Sequence, residues 1–94
     1  MDSRSRAKIL IVDDHPENLY ALQKLLKVLE VDVFQASSGN EALSLALEHD
    51  FFAAILDVQM PGMDGYELAE LLHENPSTAN LPIMFIARGK LYDR

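Results

Sequence analysis

Ile9-Leu10-Ile11-Val12-Asp13-Asp14 is a run of four aliphatic residues that stops abruptly at two carboxylates. A short stretch that is apolar at every position suits a strand covered on both faces, as in a parallel sheet between layers of helix. Pro16 follows where a first helical turn would begin, with Asp14 or His15 ahead of it in the capping position. Over residues 17–30, Leu19, Leu22, Leu25, Leu26 and Leu29 recur at three- and four-residue steps, which predicts one apolar stripe on a helix.

The same alternation continues along the chain. Residues 31–36 are β-prone, and Ser38 with Glu41 forms a Ser-x-x-Glu capping box opening a second helix to about residue 48, with Ala42, Leu43, Ala46 and Leu47 inward. A third apolar run over 51–56 again stops at an aspartate, Asp57. The Pro-Gly and Asp-Gly pairs of Val58-Gln59-Met60-Pro61-Gly62-Met63-Asp64-Gly65 mark a loop, and Asp64 with Glu67 caps a third helix running to about residue 74. Leu68, Leu71 and Leu72 face inward on that helix, Asn75-Pro76 ends it, and residues 81–87 read as a fourth strand. The order β-α-β-α-β-α-β predicts an α/β fold with a parallel sheet and right-handed crossovers.

Composition bounds the function. Ninety-four residues allow one small domain, and 49% apolar with 24% charged residues is ordinary globular usage. Fifteen acidic against eight basic side chains give a net charge of −7, which disfavours binding nucleic acid or an anionic membrane through the overall field. Without cysteine, disulfide frameworks and thiolate metal sites are excluded. The longest apolar runs fall far short of the roughly 20 residues of a membrane helix, so a cytoplasmic protein is expected.

Two strands thus end in carboxylates. In open α/β sheets, ligands bind beyond the carboxyl ends of the strands, where the strand order reverses. A 2-1-3-4 order would place that point between the first and third strands and bring Asp13, Asp14 and Asp57 into one crevice. Crowded carboxylates repel unless a cation joins them, and all-oxygen ligands select Mg2+ or a similar hard ion such as Mn2+. An aspartate beside such an ion can act as a nucleophile toward phosphorus.

The Ile9 to Asp14 run, together with Ile55-Leu56-Asp57-Val58-Gln59-Met60-Pro61-Gly62-Met63-Asp64-Gly65, resembles the receiver domain of bacterial two-component response regulators. The resemblance spans residues 7–87, with polar tails expected at 1–6 and 88–94. It implies a flavodoxin-like, doubly wound parallel sheet, here incomplete, in the order 2-1-3-4. It further implies that Asp57 is the phosphoacceptor, charged by a histidine kinase or histidine phosphotransfer protein. Asp14 resembles the direct Mg2+ (or Mn2+) ligand, Asp13 the acid holding metal water, and Gln59 the residue lending a backbone carbonyl.

Two departures from the family pattern are legible. Ala87 stands where the family carries Ser or Thr, and no lysine follows a fifth strand, Lys90 reading as a solvated tail residue. An early end would leave the fourth strand as an open apolar edge and bare the first helix, so self-association by edge pairing or element exchange is expected. A degenerate receiver acting only as an interaction or dimerisation module is the alternative. An aspartate-nucleophile phosphohydrolase is disfavoured, because the acid/base position two residues after the nucleophile is Gln59. Neither G-x-G-x-x-G nor a P-loop is present. The remaining polar residues have plain expectations: His15 as an exposed loop residue, His49 and His73 at helix C-termini, Met60 and Met63 as loop packing, and Arg4, Arg6 and Lys8 as a solvated tail.

Overall fold

In the computed structural model, residues 6–87 are described together with a strand at Lys90–Asp93. The strands β1 (Lys8–Val12), β2 (Asp32–Ala36), β3 (Ala53–Asp57) and β4 (Ile83–Ala87) alternate with helices α1 (Pro16–Leu26), α2 (Gly39–Glu48) and α3 (Gly65–Glu74). The four strands run parallel in the order β2-β1-β3-β4, as expected from the sequence.

The fourth strand does not end the sheet. β5 (Lys90–Asp93) pairs antiparallel with β4, Ala87 opposite Lys90 and Phe85 opposite Tyr92. This corrects both the tail expected at 88–94 and the open β4 edge expected to drive pairing between chains. A parallel return needs a crossover of a dozen or more residues, whereas an antiparallel one needs only the two residues between Ala87 and Lys90. The backbone groups along that side of β4 are thereby paired within the chain. Side chains beyond Ala87 and residues 1–5, including Arg4 and the expected role of Lys90, lie outside the described residues.

Strand pleating divides the core into two. Leu10, Val12, Ala54 and Leu56 project to the side covered by α2 and α3, meeting Ala42, Ala46, Leu68 and Leu72. Ile9, Ile11 and Ile55 project to the other side, against Leu19, Leu22 and Leu26 of α1. Helices therefore leave β1 and β3 toward opposite faces, which makes the gap between those strands the switch point of the fold.

The helix stripes are narrower than the leucine pattern suggests. Leu47 and Leu71 are exposed, with Leu45 and Ala69 packed instead. α1 ends at Leu26, a 3-10 turn covers Lys27–Leu29, and Glu30 closes it at φ 55° in the left-handed region. Leu25, Val28 and Leu29 are exposed to 70%, 80% and 62% on this side of the molecule. Arg6, expected as tail, pairs with Asp32 at 3.2 Å and donates to the Val31 carbonyl. Lys8 lies in β1 and donates to Nδ1 of His49, which packs between Phe34 and Phe51.

Candidate functional site

The sheet register builds the site. Val12 faces Leu56 across β1 and β3, so the next residues outward, Asp13 and Asp57, emerge side by side at the carboxyl ends of these strands. Asp13 is 1% exposed, and its N–H continues the β1–β2 ladder by donating to the Ala36 carbonyl at 3.1 Å. Its carboxylate accepts three hydrogen bonds. The His15 backbone N–H (2.9 Å) and ring Nδ1–H (3.1 Å) reach Oδ1, and Asn18 Nδ2 (3.0 Å) reaches Oδ2. A buried carboxylate persists only where it is met in this way.

Asp14 is less provided for. Its Oδ1 is buried and accepts no hydrogen bond, the nearest cationic group being His15 Nδ1 at 3.3 Å. His15 is exposed, as expected of a loop residue, and it is also engaged with the site. It precedes Pro16 as the N-cap of α1 and makes no side-chain cap bond, its ring turning to the two acids instead. The hydrogen bond to Asp13, with the charge of Asp14, raises its pKa above the usual 6.5. No signal in the sequence separates this arrangement from a free loop, because it depends on the backbone turn between Asp13 and Pro16.

Asp57 ends β3 partly buried, and its Oδ1 accepts from the Gln59 N–H at 3.3 Å. Its pKa is raised, first by burial and then by the charges of Asp13 and Asp14; the Gln59 N–H and His15 act in the opposite direction. One ligand atom each from Asp13, Asp14, His15 and Asp57 can be chosen so that all four lie within 4.8 Å of one another. An unsatisfied buried oxygen among three carboxylates is the electrostatic situation that a small, hard divalent cation relieves, so the donor set fits such an ion.

The loop after Asp57 is shaped by two glycines. Gly62 has φ +77°, a conformation that side chains disfavour. Gly65 opens α3 so close to the strand end that a Cβ there would lie 2.2 Å from the Asp57 carbonyl oxygen, while its N–H donates to the Val58 carbonyl at 3.1 Å. Asp64 caps α3 in a full capping box with Glu67. At α2 only half the expected box forms: Ser38 accepts from Glu41, but the Glu41 carboxylate reaches back to Ser37. Met60 is buried and Met63 packs against the core, as expected of loop packing. Ala87 closes β4 half-buried.

Residues 9–91 match the response regulator receiver domain family. The chain belongs to that family. Among relatives of this receiver domain, the sensor protein EvgS of Escherichia coli K12 is 42% identical over 83% of the chain. The virulence sensor protein BvgS of Bordetella pertussis is 48% identical over 66%. The receiver domain spans 6% and 5% of these two proteins. A putative response regulator from Chloroflexus aurantiacus superposes with a TM-score of 0.85 at 36% identity, covering 92% of the domain and 71% of that chain. Response regulator TrrA from Thermotoga maritima, solved in complex with Mg2+ and BeF, superposes at 0.79 with 28% identity, covering 86% and 69%.

Proposed function

We propose that this receiver domain accepts a phosphoryl group on Asp57 from the phosphohistidine of a histidine kinase or histidine phosphotransfer protein. An Asp57 carboxylate oxygen attacks phosphorus, the P–N bond breaks, and the imidazole leaves with the electron pair. Asp13, Asp14, Asp57 and the Gln59 backbone carbonyl are the groups that would hold Mg2+ or Mn2+. When bound, the ion supplies positive charge against the carboxylate and phosphoryl oxygens. Asp13 is held by His15 and Asn18, so it keeps its position as the site fills.

The observation that carries this reading is the convergence of Asp57 with Asp13 and with an Asp14 oxygen that has no hydrogen-bond partner. The Mg2+ and BeF bound to the related TrrA agree with it. Incubation with a small phosphodonor and Mg2+ should add one phosphoryl group by intact mass. Asp57→Asn and Asp14→Asn should each prevent the addition. No adduct on the unaltered chain would overturn the reading.

Ala87, which lacks the hydroxyl implied by the family pattern, favours a second reading: a domain that works through protein association whether or not Asp57 is modified. A partner complex of equal affinity for the unaltered chain and for Asp57→Asn would support it. Among the described residues no helix is long and apolar enough to cross a membrane. With the acidic charge, we infer a cytoplasmic setting and protein rather than nucleic-acid partners. Self-association by exchange of elements between copies remains part of the proposal, and the bare α1 face supports it.

A further inference from the structure

Building on the reading of Asp13, Asp14 and Asp57 as a cation site, we propose that His15 is a nitrogen ligand of the same site and shifts its preference from Mg2+ toward borderline cations such as Co2+. His15 Nδ1 lies 3.1 Å from Asp13 Oδ1 and 3.3 Å from Asp14 Oδ1, within reach of both acids. A small octahedral ion has ligands at about 2.1 Å and opposite ligands about 4.2 Å apart. The 4.8 Å limit on the four ligand atoms is therefore about 0.6 Å above that size.

The backbone that carries the ring is also held in place. The His15 N–H donates to Asp13, and the next residue is Pro16, the first residue of α1, so the backbone at His15 is fixed on both sides. Asp13 keeps its bonds from the His15 N–H and Asn18 when the ring lets go, so the ring contact is the one that can be exchanged for an ion. In the bound form Nδ1 offers its lone pair and the ring proton sits on Nε2, which leaves the imidazole neutral. Imidazole is a softer donor than carboxylate or carbonyl oxygen and suits later first-row metals. An all-oxygen site also favours Co2+ over Mg2+, so the signature of His15 is the change in that preference when the ring is removed.

The test uses the whole chain freed of metal, at a fixed, mildly alkaline pH. Mg2+ and Co2+ affinities are measured by titration, and pulsed EPR of bound Mn2+ reports any coordinated nitrogen. The unaltered chain should show nitrogen coupling. His15→Ala and His15→Gln should lose it, together with about tenfold or more of Co2+ affinity, while Mg2+ affinity moves less than about threefold. Coupling that persists in both variants, or equal losses for the two ions, would overturn the role of His15. If Asp14→Asn abolishes binding while His15→Ala changes nothing, the cation site stands and His15 is no part of it. If the unaltered chain binds neither ion, the cation reading fails and this inference fails with it. Far-ultraviolet circular dichroism confirms folding, which neither variant should disturb, because Asp13 keeps its bonds from the His15 N–H and Asn18.

Discussion

Burial, followed by the charges of Asp13 and Asp14, disfavours the ionised form of Asp57 and raises its pKa. Its folded pKa lies above its unfolded value. The associated stability is thus present at low pH and is lost as pH rises through the folded pKa. Without divalent cations at neutral pH, Asp57→Asn should therefore raise the melting temperature. The gain should shrink as pH falls below the carboxylate range, and thermal melts across pH check this. If the ion binds as proposed, saturating Mg2+ should narrow the difference, because the unaltered site would bind it more tightly than the site of the variant. Gly65 makes a second prediction at this scale. A methyl group at 2.2 Å from the Asp57 carbonyl forces backbone to move, so Gly65→Ala should cost roughly 1–3 kcal/mol in denaturant unfolding and slow phosphoryl uptake.

Elements are set by their ends as much as by their stripes. Asp64 and Glu67 satisfy the first turn of α3 reciprocally, and Asp64→Ala should destabilise the fold by about 1 kcal/mol. Glu30 closes the turn after α1 in a left-handed conformation that L side chains disfavour. Glu30→Gly should stabilise the fold by up to about 1 kcal/mol, read from the shift in urea midpoint at constant slope. Most elements were legible in the sequence because their signals are local: apolar runs stopped by aspartate, Ser-x-x-Glu and Asp-x-x-Glu boxes, and Asn-Pro. Inward and outward positions were less so. Leu25, Leu29, Leu47 and Leu71 share the helical spacing of the buried leucines, and only the packing of neighbouring layers decides which of them are covered. The hairpin strand β5 carried no periodic signal in four residues. Its pairing depends on the open side of β4, a tertiary circumstance. At the site, the three aspartates could be read because strand ends determine where they fall, whereas the turn of the His15 ring could not.

Across the whole molecule, the two faces of the sheet are unequally dressed. α2 and α3 share one face, while α1 lies on the other beside the exposed Leu25, Val28 and Leu29. If these residues support self-association, Leu25→Glu with Val28→Glu should lower the mass seen by light scattering at micromolar concentration. The unfolding free energy should change by no more than about 0.5 kcal/mol, because neither side chain is in the core. A chain that is monomeric before the substitutions would refute the association.

The approach of Gly65 to the Asp57 carbonyl also has a mechanical meaning. Where a machine has backlash, a small displacement at one part is absorbed before the next part moves. Here there is no room for even a methyl group between the end of β3 and the first turn of α3, and the Gly65–Val58 hydrogen bond ties the two together. The end of β3 and the root of the ten-residue helix α3 are thus joined without slack, so one could not shift without the other. At a rise of about 1.5 Å per residue, the far end of that helix, near His73 and Glu74, stands roughly 15 Å from this joint, so a tilt at the root would be read there as a larger displacement.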